Sequence, residues 1–592
     1  MKTKIDYKKV GLMCGLEIHQ QLDTKKLFCN CPSIIRDDKP DFEVRRKLRA
    51  VIGEDGHIDK AAASETSKSK FFDYQAYNDT TCLVELDEQP PYPMNKDALN
   101  VVLQVSKMVD CDIVDEVQVM RKTVVDGSNT GGFQRTSLVG MNGKIELDNK
   151  KIGIQTICVE EDSAKIVERK TDFDIYNLSR LGIPLIEIAT DPDITSAEQA
   201  KEVAAMLGMI LRSTGKVKRG LGTIRQDVNV SIKGGVRVEI KGAQDLKMIP
   251  TLVDNEILRQ ECLLDFKTPK TSTIIDVSKS LEKSESKVIR MALDNSEGAV
   301  LGIKLEGFNG KIGADISPGK RLGSELSDYA KVHAGVKGLF HSDELPKYGI
   351  TAEEVEELKK AFDCKESDAF IIIGERKEVA TKALEAVIER LKNPLDKEVR
   401  KANEDGTTSY MRPMPGAARM YPETDCVPIK PDIENLVLPE LISDRIVRFE
   451  KDYKISKDLA TGLARGGIDF DDYIKRFKNV SAGFIADTLI NTPKEIKKRY
   501  KHEIDIFEHA DEVFLKVDEG IISKDAAFDI FLDLAKGKKI NYESYKVMSD
   551  DDIKKIIEKV LDKNKGAPMG ALMGECMKEL KGKADGKKIS EI

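Results

Sequence analysis

Apolar positions change their period twice along this chain, and those changes divide it. From Val10 to about Met248, short apolar runs at the two-residue spacing of strands are interspersed with single helices. Ile152 to Val159, Val228 to Ile232 and Val236 to Ile240 read as strands, and Lys233, Gly234 and Gly235 between the last two signal a hairpin. Ala197, Ala200, Val203, Met206, Leu207 and Ile210 recur at helical spacing over Ser196 to Thr214, with Thr195 in the capping position, and predict a packing helix. Near Thr273 the texture shifts to short strands with interspersed glycines. It continues through the amphipathic Ala352 to Phe362 and the helical Glu378 to Lys392, with Ile371, Ile372, Ile373 and Gly374 as a buried strand between them. Pro413, Pro415, Gly416, Pro422 and Pro428 favour rigid extended chain over helix. After Pro439 the period is helical to the end.

These shifts predict a multidomain α+β protein. Its parts are a mixed α/β domain over 1–274, an inserted α/β domain over 275–400, a return to the first domain over 401–440, a helical domain over 441–540 and a helical tail over 541–592. A length of 592 residues exceeds what one core organises, and 40% apolar with 33% charged residues suits a folded globular protein. Ten cysteines without a disulfide framework, no secretory leader and no long apolar run point to the cytoplasm and exclude a membrane span. A net charge of -7 gives no global attraction to a polyanion, so nucleic-acid binding would need local basic faces. Lys216, Lys218 and Arg219, and the denser Lys497, Lys498, Arg499 and Lys501, are candidates, although a solvated helix face is the simpler reading of each run alone.

Four segments could carry chemistry. Glu17 and His19, two residues apart in a strand, share a face and can ligate a cation or exchange protons, with a strand that merely has a polar side as the alternative. Glu160, Glu161 and Asp162 crowd the end of an apolar strand, where a cation would relieve their repulsion; a solvated loop is the simpler alternative. Glu187 sits between Ile186 and Ile188, where an unpaired charge is costly, so it needs a base or a metal. Arg225, Asp227, Asn229 and Ser231, continued across the hairpin by Arg237, Glu239 and Lys241, make a polar sheet face suited to phosphate and metal, with a solvated sheet face as the alternative. Walker-type phosphate loops and kinase motifs are absent. Thr130, Gly131 and Gly132 resemble the nucleophile turn of asparaginases, but Phe133 follows and no companion motif appears. Cys29, Cys31 and Cys82 could bind zinc or could be buried thiols.

Gly15 to Gln20, Lys26 to Cys31, Val159 to Lys165, Asn177 to Pro192, Gly222 to Lys241 and Tyr421 to Asp425 together resemble the GatB/GatE family of tRNA-dependent amidotransferase subunits, in the family's order and spacing. Leu322 to Thr351 is similar to the domain inserted in bacterial-type aspartyl-tRNA synthetases, which points to the GatE side of the family. Gly570 to Gly586, with Met573, Gly574, Met577, Lys578 and Asp585, looks like the family's YqeY-type tail. The resemblance implies a catalytic cradle formed by the first and third segments. It implies phosphorylation by ATP, with Mg2+, of the glutamate carried by tRNA(Gln), and transfer of ammonia to give the glutamine form. By position it makes His19, Glu160 and Glu187 the best catalytic and metal residues, with Glu17 and Glu161 next, the choice between Glu160 and Glu161 turning on strand register. Arg225, Asp227, Asn229 and Lys241 become candidates for ATP contacts. No glutaminase motif is visible. The implied ammonia source is therefore a GatD-like, asparaginase-type partner in a heterotetramer with two copies of each chain.

Overall fold

The computed structural model describes residues 5–590 except 51, 53–55, 57, 59, 67–68, 148, 171, 415–419, 565 and 581–588. Pro415 and Gly416 of the proline-rich return, and Asp585 and Gly586 of the tail, lie outside the described residues. The chain forms two compact units, Met1–Pro439 and Glu440–Ile592.

The first unit is built on a sheet of eleven strands. In spatial order ten of them are Thr408–Pro413, Glu398–Ala402, Val238–Lys241, Ile224–Ser231, Met13–Gln21, Pro184–Thr190, Lys150–Glu161, Phe133–Leu147, Val119–Thr123 and Met420–Pro422. The eleventh, Asp112–Ile113, pairs beside Phe133–Leu147. All pairings are antiparallel except that of Val238–Lys241 with Glu398–Ala402. Alternation gives the sheet two unlike faces. Leu16, Ile18, Ile157, Val159, Ile186, Ile188, Val228, Val230 and Ile240 are buried on one, where helices Lys96–Met108, Ala197–Ser213 and Ile249–Leu264 pack. Their strand neighbours Glu17, His19, Cys158, Glu160, Glu187, Arg225 and Asp227 therefore point the other way. The hairpin over 224–241 forms, pairing Val228 with Ile240 and Val230 with Val238.

Helix Ala197–Ser213 differs from expectation at its start. Its cap is Ser196, whose side chain accepts from the Gln199 N–H, while the Thr195 backbone N–H donates to the Gln199 side chain, so Thr195 sits one residue outside. The two hydroxyl residues are adjacent, and only the backbone turn selects between them.

A second sheet, Phe42–Arg46, Phe71–Ala76, Phe173–Asn177 and Lys165–Arg169, is packed through Phe72, Tyr74, Leu86, Tyr176 and Leu178. A third contains Ile275–Asp276, Gly298–Leu305, Ala369–Arg376 and Phe340–His341. Both its faces are covered. Leu301, Ile303, Ile371 and Ile373 meet helices Leu322–Ala334 and Lys377–Lys392, and Val300, Phe370 and Ile372 face Leu281, Ile289 and Leu358. That is why the run at 371–373 is continuously apolar rather than alternating.

The described residues of the second unit are helical apart from its loops and turns, and Pro493 precedes a π turn at Ile496–Tyr500. No helix among the described residues is long and apolar enough to cross a membrane.

Candidate functional site

Strand register assembles the site. His19 lies opposite Glu187 on one side and Arg225 on the other, Glu17 lies opposite Asp227, and Glu187 lies opposite Cys158. Glu160 is one step along, opposite Leu185 and Thr136, and Gln134 is opposite Lys122. Cross-strand partners share a face. A polar band thus crosses adjacent strands and lines a cavity of about 450 Å³ with Glu17, His19, Lys122, Gln134, Glu160, Arg225, Asp227, Glu239, Lys241 and Arg412.

At its centre the Nε2 of His19 is 3.1 Å from a Glu187 oxygen and 3.6 Å from a Glu17 oxygen. The Lys122 ammonium donates to Glu160 at 2.5 Å and lies 3.6 Å from Glu187, and Gln134 donates to the other Glu160 oxygen at 3.2 Å. One donor atom each from His19, Glu160 and Glu187 all lie within 4.8 Å of one another, as do those of Glu17, His19 and Asp227. Nitrogen and carboxylate oxygens at that spacing fit a divalent cation.

The charges respond to this crowding. Burial pushes Glu17 up to about 7, assisted by repulsion from Glu187. Burial acts against protonated His19, but the hydrogen bond and charge of Glu187, with Glu17 and Glu160, prevail and raise it to about 9. Burial also acts against ionised Glu187, and there Lys122 and His19 hold the carboxyl well below its usual range.

Glu161 is not part of this group. It points to the opposite face, where Arg135 hydrogen-bonds its carboxylate through the backbone N–H at 3.3 Å and the guanidinium at 3.4 Å, and Arg135 also donates to the buried Glu423 at 2.9 Å. Asp162, at the strand end, accepts from Gln21 at 2.6 Å and Arg225 at 2.8 Å. Lys241 donates to Asp227 at 2.6 Å and also pairs with Glu239. Asn229 does not line the cavity; its side chain accepts from Arg237 at 3.0 Å. Lys122, Gln134 and Arg412 were not singled out by sequence reasoning. Alternation sets Lys122 on the face opposite Val119, Arg121 and Thr123, but nothing in the sequence showed which strand it would meet.

Cys29, Cys31 and Cys82 converge as well, joined by Glu85, with one donor atom from each within 4.8 Å of the others. The Cys29 thiol donates to Glu85 at 2.8 Å, and the Cys82 backbone N–H donates to the other Glu85 oxygen at 2.8 Å. Three sulfurs and a carboxylate suit a tetrahedral zinc ion better than a hard cation. Thr130 is buried and its hydroxyl donates to the Glu85 carbonyl at 2.7 Å, which leaves it with a structural partner rather than the exposed position of a nucleophile. Of the basic runs, Lys218 is tied to Asp23 and the Ser33 carbonyl, whereas Lys498 and Lys501 are exposed.

The profile of the GatB/GatE catalytic domain matches residues 12–436, and a second profile described as a GatB domain matches residues 469–592. The chain is 48% identical to the E subunit of the glutamyl-tRNA(Gln) amidotransferase of Methanocaldococcus jannaschii, over 100% of its own length and 99% of that protein. Identity is 50% to the same subunit from Archaeoglobus fulgidus, over 78% of this chain and 76% of that one. It is 43% to the same subunit from Thermococcus gammatolerans, over 100% and 99% respectively.

Proposed function

The chain belongs to the GatB/GatE family, and from that membership we propose that it is the amide-forming subunit of a glutamyl-tRNA(Gln) amidotransferase, acting on the glutamate carried by tRNA(Gln). The observation that carries the chemical reading is the convergence of His19, Glu160 and Glu187 at a cavity that His19 and Glu160 line together with Arg225, Lys241 and Arg412.

A carboxylate is a poor acyl donor. Its oxygen becomes a leaving group once ATP phosphorylates it, and ammonia then displaces phosphate. His19, Glu160 and Glu187, with Glu17 and Asp227 beside them, are the residues that would hold Mg2+. When bound, Mg2+ would neutralise charge on the phosphoryl group in transfer. Arg225 and Lys241 keep fixed orientations because Asp162 and Asp227 hold them, so they can receive a polyphosphate without a further loss of side-chain freedom. The domain partition over 1–274, 275–400, 401–440, 441–540 and 541–592 belongs to the same proposal, with the cradle holding the chemistry. Ammonia would come from a separate asparaginase-type glutaminase of the GatD kind, in a cytoplasmic heterotetramer with two copies of each chain.

The test is ATP turnover by the purified chain with Mg2+. The proposal expects ADP formation only when Glu-tRNA(Gln) is present; equal turnover with uncharged tRNA would refute carboxylate activation.

We also assign Cys29, Cys31, Cys82 and Glu85 to a structural zinc centre that fastens the 26–31 and 80–85 segments to each other. Treatment with a zinc chelator should lower the thermal midpoint and release about one equivalent of zinc. Metal analysis that finds none in the native protein would dismiss the assignment.

A further inference from the structure

Lys122 meets two carboxylates of the cavity at close range, and both of them, Glu160 and Glu187, belong to the His19, Glu160 and Glu187 set. The Glu187 oxygen facing Lys122 at 3.6 Å is the one 3.1 Å from His19. The ammonium therefore lies against the same carboxylates that a divalent ion would take. Two cations cannot share carboxylate oxygens at such distances without strong repulsion, and the lysine is the movable one, on a four-carbon stem. Its side chain is 19% exposed, so it borders the open cavity instead of being locked in the core.

We propose that Lys122 is a tethered placeholder cation, which neutralises Glu160 and Glu187 until a divalent ion binds and is then displaced into the cavity beside the phosphoryl group of the substrate. This rests on the reading of that donor set as a metal centre. Metal loading would then also release a positive charge toward the polyphosphate, linking the order of the two binding events. Lys122 is in this sense a positioning residue for the metal, and its own contact with phosphate follows from displacement.

The experiment measures Mn2+ affinity of the full-length chain, stripped of metal and without ATP or tRNA, from the free Mn2+ signal in electron paramagnetic resonance. Lys122→Gln keeps a hydrogen-bond donor for Glu160 but removes the charge, and it should bind Mn2+ about tenfold tighter than wild type. Lys122→Met should show the same direction, and Lys122→Arg, which restores the charge, should return to weak binding. The thermal midpoint of Lys122→Gln should also rise more on adding Mn2+ than that of wild type, which checks that the tighter site is in folded protein. Unchanged or weaker Mn2+ binding by both neutral variants, or equal tightening by Lys122→Arg, would overturn the placeholder role while leaving the metal centre in place. Absence of Mn2+ binding in wild type and all variants would overturn the metal reading, and the placeholder with it.

Discussion

Glu187 stands in an apolar strand, and its charge is answered there by Lys122 and His19. Replacing it with glutamine removes one negative charge from a set that must neutralise a cation, with little change of shape. Glu187→Gln should therefore lower amide formation by at least about a hundredfold, through metal and transition-state charge, while tRNA(Gln) affinity stays within about twofold. Two acids on the neighbouring strand give the sharper contrast. Glu160→Gln should follow Glu187→Gln, whereas Glu161→Gln should retain most of the activity and instead cost about 2 kcal/mol of stability through Arg135. Equal losses of activity from both would mean that the two faces of the strand are not functionally separate. The need for a partner at Glu187 was legible in the sequence, because an acid between two isoleucines is rarely idle. The choice between Glu160 and Glu161 was not, since it depends on which residues pair with the strand end. Lys122 was invisible for the same reason: its partners Glu160 and Glu187 are remote in sequence, on strands whose order no local pattern states.

At the scale of elements, helix Leu322–Ala334, packed on the third sheet, and strand Glu398–Ala402 of the eleven-stranded sheet are tied by a buried ionic network. Glu325, on helix Leu322–Ala334, accepts from Arg390 at 2.6 Å and from Arg400 at 2.7 and 2.8 Å, and Glu398 accepts from the same two arginines. Arg259 joins from helix Ile249–Leu264, paired with Glu256 at 2.8 Å. Burial acts against ionised Glu325, but Arg400, with Arg390 and Arg259, holds its carboxyl far below the usual range. A depressed carboxyl contributes stability that is present above its unfolded value and lost as pH falls through the folded one. Glu325→Gln should cost about 3–5 kcal/mol, because it strands arginines in the core. Thermal denaturation should show a constant gap between wild type and variant from pH 6 to 8, narrowing below about pH 4. A gap that widens with acid would contradict this account. Of the elements that carry this network, helix Lys377–Lys392 was legible from periodicity, as Glu378 to Lys392. The network was not, because no local pattern marks Glu325, Arg390 and Arg400 as buried, and only tertiary packing brings them together in the core.

Across the whole molecule, every residue of the candidate site lies in the first unit, and the tail of the second unit carries exposed lysines such as Lys554, Lys555 and Lys559 on helix Asp550–Lys563. Removal of residues 541–592 should accordingly weaken tRNA(Gln) binding and reduce its salt dependence without changing Mn2+ affinity. Equal binding by full-length and shortened chains across a salt titration would deny the tail that role. The division into a mixed α/β part and a helical part followed from the change of period after Pro439, which is a property of local sequence. The proposed separation of chemistry from tRNA binding would be a property of the assembled molecule, and it bears on the central claim that activation and amide formation reside in this chain while ammonia is made elsewhere. The most direct measurement supplies the isolated chain with ATP, Mg2+ and Glu-tRNA(Gln), and compares free ammonium with glutamine as the only nitrogen source. The account predicts Gln-tRNA(Gln) with ammonium and none with glutamine, because ammonia at high concentration reaches the activated carboxylate without a delivering partner. Glutamine use by this chain alone, in a preparation free of other glutaminases, would contradict it.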